Sequence, residues 1–354
     1  MDSPSPEGRW PGVPLALASA VLFGISTPVA KALLGEVQPV VLAGLLYLGS
    51  GVGLWTLRRI VRSRRPSTEA TLQRRDIPVL ALVVLLGGMA GPLLLMIGLA
   101  ATPASTASLL LNLEGVFTLA IAWVVFRENV DVRIGAGAAA ILGAAALLSW
   151  SAGPETAGWR SLAIAVACLA WAIDNNVTRK LSNADPVQLA MIKGLGAGAL
   201  NATLGMIVGA QWPHLSSALA AGVVGFLGYG VSLVCFILAL RHLGTARTGA
   251  YFSMAPFVGA TVAIAALGEP ITPRFVVAAA LMAAGLYLHV TERHEHEHVH
   301  EPMAHEHRHV HDAHHQHAHG PGDPPGEPHT HWHEHPRLVH SHPHYPDMHH
   351  RHHH

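Results

Sequence analysis

The chain has 354 residues, is 51% hydrophobic and only 12% charged, and its 22 Lys+Arg balance its 22 Asp+Glu. A soluble domain carries about twice that charged share, so a globular soluble protein is excluded, and a net charge of zero gives no basis for a nucleic-acid partner. Its two cysteines, Cys168 and Cys235, both lie in apolar runs, which excludes a disulfide framework and leaves them as small buried hydrophobes.

A bilayer core about 30 Å thick takes roughly 20 apolar residues of helix to cross. The hydropathy pattern predicts ten such helices, at Gly12–Leu34, Pro39–Leu57, Ile77–Ala101, Pro103–Phe126, Val132–Trp150, Trp159–Leu181, Pro186–Gly209, Leu215–Leu240, Thr245–Leu267 and Pro273–Thr291. The opening MDSPSPEGRW lacks a positive leader, so the first apolar stretch is read as a retained helix. Pro39, Pro103, Pro186 and Pro273 open helices, where the missing N–H costs nothing. Pro28, Pro92 and Pro256 fall inside helices and predict kinks, which a membrane tolerates only where neighbours satisfy the freed carbonyls. Residues 1–11 are a short N-terminus, 12–150 and 159–291 two five-helix units, and 292–354 a tail.

Lys and Arg orient the chain. The loop after the second helix holds Arg58, Arg59, Arg62, Arg64, Arg65, Arg74 and Arg75, and the same side receives Arg9, Arg127, Arg133, Arg179, Lys180, Arg241, Arg247 and Arg293. The other side has Arg160, Arg274 and, near a helix end, Lys31. The expectation is a cell (inner) membrane protein with both termini cytoplasmic, and Trp150, Trp159 and Trp212 at the outer interface. Lys31 reads as a snorkelling side chain, and the glycine runs from Gly49 and Gly222 as close helix packing.

The two units repeat one another. LFGISTPVAKAL from Leu22 lines up with AWAIDNNVTRKL from Ala170, Pro39-Val40 with Pro186-Val187, and TPASTASLLLNLEGVFTLAIAWVVFREN with GTARTGAYFSMAPFVGATVAIAALGEP, setting Glu128 against Glu269. Five helices per unit is an odd number, so the second unit is inverted, an arrangement that places a transporter's site at the midplane between repeats. On these residues the chain resembles the drug/metabolite transporter superfamily, specifically proteins of two EamA-type five-helix repeats, over about Pro14 to Thr291. The resemblance implies an all-α membrane fold of ten helices and export of small metabolites or toxic compounds, often by proton exchange. It also implies a basic residue about seven positions after the Pro that opens the second helix of each repeat. Lys193 stands there in the second repeat, whereas the first has Leu46. A proline midway along the fourth helix is kept as Pro256, with Gly115 at or beside the equivalent place.

Ionisable groups inside a membrane cost about 2.5–3.5 kcal/mol each on insertion scales and default to function. The candidates for a transport cavity are Glu114, Asp174, Asn175, Lys193 and Asn112. Asp174, five residues before Arg179, and Lys193, seven after Pro186, lie about 7–8 and 10–11 Å deep from the same side. They share a layer and can pair, either as a structural ion pair or as a cavity-lining pair. Glu114 sits mid-helix, as a proton-coupling carboxyl or as a permanently neutral one bonded to a neighbouring helix. Asn176 and Asn201 are also within helices.

Of the 27 histidines, all but His214, His242 and His289 follow Arg293. The alternating runs supply metal-ligand candidates His294, His296, His298, His300, His305, His307, His309, His311, His329, His331, His333 and His335, because imidazole binds zinc, nickel, cobalt and copper. The tail has too little apolar surface to fold alone and is expected to be disordered. Three uses stay open: sensing or buffering metal beside a transporter of something else, feeding metal to an exporter, or acting as a pH-dependent polycation.

The reading is therefore a secondary transporter that exports a small solute by alternating access, with a metal-binding tail. The alternatives are a divalent-metal exporter (Zn, Ni or Co) that uses the tail as a collecting arm, and a membrane-anchored metal buffer without transport. No nucleophile–base or phosphate-cradling motif points to an enzyme, and no cofactor is required. The expected partners are the lipid bilayer, a small solute and divalent ions, with a homodimer left open.

Overall fold

A computed structural model describes residues 12–62, 72, 74–126, 132–149, 158–178, 181, 185–291, 294–300, 303–309, 329–335 and 338–344. Arg9, Arg64, Arg65, Arg127, Glu128, Trp150, Arg179, Lys180, Arg293 and His311, singled out in the sequence, lie outside the described residues. The first repeat comprises α1 (Gly12–Leu33), α2 (Pro39–Arg62), α3 (Ile77–Val83), α4 (Gly91–Ala101), α5 (Ala104–Leu110), α6 (Leu113–Phe126) and α7 (Val132–Ser149). The second comprises α8 (Gly158–Thr178), α9 (Pro186–Ile207), α10 (Leu215–Gly225), α11 (Ser232–Phe252), α12 (Ala255–Leu267) and α13 (Pro273–Val290). Among the described residues nine helical runs are long and apolar enough to span a membrane, and Pro273–His289 is a shorter apolar helix. The body is the all-helical membrane bundle that the hydropathy pattern predicts.

The spanning helices are less regular than expected, and they depart from regularity at corresponding places. The third helix of each repeat contains a π-helical segment, Val84–Ala90 in one and Phe226–Val231 in the other. The fourth helix of each repeat is broken, not merely kinked, at Leu111–Asn112 and at Ser253–Met254. In the alignment that sets Glu128 against Glu269, Asn112 falls opposite Ser253. Asn112 Nδ2 donates to the Leu109 carbonyl at 2.9 Å, and Ser253 Oγ donates to the Ala250 carbonyl at 2.7 Å. Each side chain takes the carbonyl three residues back and so competes with the helix ladder. In the second repeat Pro256 also removes an N–H just beyond the break. Pro92 and Pro256 thus sit in the first turns of α4 and α12, whereas Pro28 lies within α1. A further correction concerns the segment between the eighth and ninth predicted helices, which is itself helical, so that α11 runs unbroken to Phe252.

The repeats interlock. The two central helices, α2 and α9, lie side by side, as do α7 and α13, while α1 packs on α11 and α12 and α8 packs on α4 and α6. Glycine sets the approach of the central pair: a Cβ on Gly51 would stand 2.5 Å from the Leu195 nitrogen, and one on Gly198 2.5 Å from that of Leu48. Small residues at helix contacts are what a bilayer requires, because apolar side chains gain nothing by leaving lipid. Accordingly Ser19, Ser26, Thr27, Ser50 and Ser108 are buried, while Trp123, Val124, Val125, Leu162, Ile207, Leu219 and Val223 face outward.

Two ties hold one end of the bundle, one within the first repeat and one across the repeats. Lys31 Nζ donates to the carbonyls of Leu99 at 2.7 Å and Ala100 at 3.1 Å, at the end of α4. The backbone N–H groups of Ala104 and Ser105, which open α5, donate to the Glu269 carboxylate at 2.6 and 2.8 Å. At the other end Arg58 and Asp185 form an ion pair at 2.9 Å, and Asp185 also caps α9 by accepting from the N–H groups of Val187 and Gln188.

The tail is described in part. Four segments are extended: β1 (His294–His300), β2 (Met303–His309), β3 (His329–His335) and β4 (Leu338–His344). β1 pairs antiparallel with β4 and β2 with β3. The physical reason is the alternation itself: a period of two residues is the strand period, and pairing gives the backbone polar groups partners.

Candidate functional site

A cavity of about 550 Å³, counting the open space at its mouth, lies where the repeats meet. The first repeat contributes Ser19 and Phe23 from α1, Tyr47 from α2 and Glu114 from α6. The second contributes Trp171, Asp174 and Asn175 from α8, Lys193 from α9, Gly228 and Tyr229 from the π segment, and Ser232, Leu233, Phe236 and Phe252 from α11. Asp174 and Lys193 are near the helix ends that carry Arg58 and Asp185, and Phe252 precedes the break in the ninth helix. The cavity therefore occupies the half of the bundle away from the Lys31 and Glu269 ties.

Lys193 Nζ and Asp174 Oδ2 form a direct ion pair, and both side chains are buried, at 8% and 2% exposed. The other carboxylate oxygen accepts from Thr178 Oγ1 at 3.2 Å. Room for this carboxylate comes from Gly87 in the first π segment, where a Cβ would stand 2.0 Å from Asp174 Oδ2. The π turn also exposes the Gly87 carbonyl. In that segment Gly91 N–H reaches back five residues to Leu86, and the next residue, Pro92, has no N–H to offer Gly87. Tyr47 hydroxyl and Trp171 Nε1 donate to that carbonyl instead, each at 2.9 Å. A π-helical turn often marks a functional site, and here it builds the cavity wall.

Glu114 is in a different electrical position. Its Oε1 accepts from Asn175 Nδ2 at 2.6 Å, a neutral partner. Among the described residues the ion pairs are Arg58–Asp185 and Lys193–Asp174, so no cation is paired with Glu114. Facing it is an aromatic wall. Phe23 stands edge-on to Trp171 at 6.2 Å and to Tyr229 at 5.7 Å, Phe252 is 5.5 Å from Phe23, and Phe236 is 4.9 Å from Phe252. The Tyr229 hydroxyl is buried in this wall next to Ser26.

Of the residues singled out in the sequence, Glu114, Asp174, Asn175 and Lys193 come together in this cavity. Asn112 does not. It holds the helix break, with a contact to Met282 sulfur at 3.7 Å in addition to Leu109. The sequence reading missed the aromatic residues. Aromatics make up 6% of the chain, yet Phe23, Tyr47, Trp171, Tyr229, Phe236 and Phe252 line this one cavity. Their scarcity within the apolar helices was the signal available. The metal-ligand candidates other than His311 lie on the tail strands β1, β2 and β3, and none lines the cavity. Strand β4 adds His340, His342 and His344, which the sequence reading also missed although they alternate in the same way.

Comparison with known proteins agrees with this architecture. The profile of the EamA-like transporter family matches residues 10–150 and again 158–291. An uncharacterized transporter from Methanothermobacter thermautotrophicus is 27% identical over 290 residues, spanning 77% of this chain and 84% of that protein. A probable amino-acid metabolite efflux pump from Salmonella typhimurium is 29% identical over 294 residues, 78% of this chain and 93% of its own length. A probable terminal-alkyne amino-acid exporter from Streptantibioticus cattleyicolor is 28% identical over 227 residues, 60% of this chain and 73% of its own. A solved crystal structure superposes with a TM-score of 0.60 at 19% identity, covering 78% of this chain and 94% of the other, a likeness of fold.

Proposed function

The chain belongs to the EamA-like transporter family and is a multi-pass membrane transporter, and on that premise we propose that it exports a small ammonium-bearing organic solute of the amino-acid type by alternating access, with protons exchanging at Glu114. The observation that carries this reading is the pairing pattern in the cavity. Asp174 is matched by Lys193, whereas Glu114 has only the Asn175 amide. A half-buried carboxylate with no cation paired to it is costly, and either a proton or a solute ammonium offsets that cost. Competition between the two couples proton entry to solute exit.

The rest of the wall fits such a solute. Aromatic faces attract an ammonium group by about 0.5–2 kcal/mol depending on desolvation. Lys193 has three N–H donors, so after pairing with Asp174 it retains donors for a solute carboxylate. The Tyr229 hydroxyl in the cavity wall offers one more polar contact. The printed names of the Salmonella and Streptantibioticus relatives, an amino-acid metabolite efflux pump and an amino-acid exporter, support the same class. A divalent ion is less well served by this wall, which has no histidine or cysteine and whose carboxylates face an ammonium and an amide. The location follows from the basic loops: the cell membrane, with both termini in the cytoplasm.

The experiment is flux of labelled amino acids in proteoliposomes under an imposed pH gradient, with Glu114→Gln beside the wild type. The expected result is uphill solute movement driven by the gradient in the wild type, and in the variant a solute flux that no longer responds to pH. Gradient-driven flux that persists in Glu114→Gln would remove Glu114 from the coupling mechanism.

A further inference from the structure

The half of the bundle away from the cavity is sealed by a seam of three helices. Between the cavity and the ties at Lys31 and Glu269, α1, α5 and α12 pack on one another. On α1, Phe23 lines the cavity and Lys31 holds the far end. Thr27 stands four residues from each, on the same helix face. The closed stretch from Phe23 to Lys31 is about 12 Å long at 1.5 Å per residue. Its contacts are made by small residues. A Cβ on Gly24 would stand 2.5 Å from the Ala255 carbonyl oxygen, and one on Gly259 would stand 2.7 Å from Ser108 Oγ and 2.8 Å from the Gly24 carbonyl oxygen. By themselves such contacts are ordinary helix packing in a bilayer.

Two hydroxyls in the seam are not explained by packing. Thr27 and Ser108 are each 1% exposed, and neither Thr27 Oγ1 nor Ser108 Oγ has a hydrogen-bond partner among the described residues. A hydroxyl on a helix has the carbonyl three or four residues back within reach. Ser26 donates in this way to Phe23 at 2.6 Å, Thr56 to Val52 at 2.9 Å and Ser253 to Ala250 at 2.7 Å. Ser108 instead turns its oxygen toward Gly259 on α12. Leaving a buried hydroxyl unsatisfied is unfavourable, and Val or Ala fills nearly the same space without that penalty.

We propose that Thr27 and Ser108 line the path by which the solute leaves the cavity, a path closed in this structure and opened when the contacts of Lys31 and Glu269 release. The inference rests on the transport reading of the cavity. Release of those contacts lets α12 part from α1 and α5, and both hydroxyls then meet water or the solute, each with one donor and two acceptor lone pairs. The unsatisfied state belongs to the closed conformation alone. The path continues the Phe23 face of α1 from the cavity to the end of the bundle that carries Lys31.

The first test is exchange of labelled amino acid in proteoliposomes, with solute supplied to one face at a time. Thr27→Val and Ser108→Ala are expected to melt at or above the wild-type temperature, because each removes an unsatisfied group. Each should raise the half-saturation concentration at the Lys31–Glu269 face about 2–10-fold, the loss of one hydrogen bond. Half-saturation at the cavity face should not change. The second test needs no solute. In a chain lacking Cys168 and Cys235, Thr27→Cys should react with a membrane-impermeant maleimide about 2–30-fold faster once Glu269→Ala removes its cap. Ala144→Cys, equally buried on α7, should stay unreactive. A Thr27→Cys that reacts no faster than Ala144→Cys overturns the proposal. So does a loss of stability in Thr27→Val and Ser108→Ala that slows flux from both faces alike. A wild-type protein that carries no amino acid removes the solute class proposed above, and the labelling then decides the path by itself.

Discussion

Glu269 and Ser105 belong to opposite repeats, and the carboxylate of the first accepts the N–H that opens the helix of the second at 2.8 Å. The adjoining Ala104 N–H takes the other oxygen at 2.6 Å, and Lys31 holds the carbonyls of Leu99 and Ala100 at the end of the preceding helix. One tight turn, Leu99 to Ser105, is thus held by a cation on its acceptor side and an anion on its donor side. Both partners match the helix-end charges they meet, positive at the N-terminus and negative at the C-terminus.

From this tie comes a prediction about access. Loss of an N-terminal cap costs about 0.5–2 kcal/mol, so Glu269→Ala should lower thermal stability modestly and loosen that end of the bundle. In a background lacking Cys168 and Cys235, a cysteine introduced by Ser108→Cys should react faster with a membrane-impermeant maleimide once Glu269 is replaced. Unchanged labelling alongside unchanged stability would show that the tie does not hold the turn.

The Asp174–Lys193 pair predicts non-additivity. Removing one partner of a buried pair costs about 3–5 kcal/mol, because the other charge is left uncompensated. Asp174→Asn and Lys193→Met should each lower thermal stability and flux, and the double variant should be milder than the sum of the two. Strict additivity across the cycle would argue that the two charges do not depend on each other.

Gly87 predicts a steric consequence. A Cβ there would clash with the Asp174 carboxyl group at 2.0 Å, and overpacking costs about 1–3 kcal/mol. Gly87→Ala should therefore disturb the ion pair and reduce both stability and flux. Gly143→Ala, where nothing stands within 4 Å, is the matched control and should be close to neutral or slightly stabilising through helix propensity. Equal effects of the two substitutions in a melting assay would sink the packing argument.

The tail and the body should separate. Truncation after Thr291 leaves every cavity residue in place, so the shortened protein should insert, fold and retain most of its organic-solute flux while losing most zinc binding. In the full chain that binding should weaken as pH falls through about 6.5, because protonated imidazole cannot coordinate metal. A reporter fused after His354 should be active only on the cytoplasmic side. Activity in the periplasm would invert the orientation, and loss of flux in a folded truncation would make the tail part of the transport cycle.

The sequence by itself determined the bundle. Runs of apolar residues of membrane length, an odd number of helices per repeat and the match of Pro39 to Pro186 were enough for the architecture, because a bilayer leaves the backbone almost no alternative to helix. Glu114, Asp174, Asn175 and Lys193 were legible for a related reason, since a polar group that persists inside an apolar helix stands out against its neighbours. Only the tertiary structure decided what these groups meet. Hydropathy cannot register a π turn, which changes one hydrogen bond and no residue type, yet that turn gives the Gly87 carbonyl to Tyr47 and Trp171 and makes room for Asp174. Nor can it separate Asn112, which closes a helix break, from Asn175, which meets Glu114, because both are polar residues in apolar surroundings and their difference lies in the neighbouring helix. The tail divides in the same way: the alternation of histidine was visible in the sequence, but the pairing of β1 with β4 and of β2 with β3 belongs to the tertiary structure.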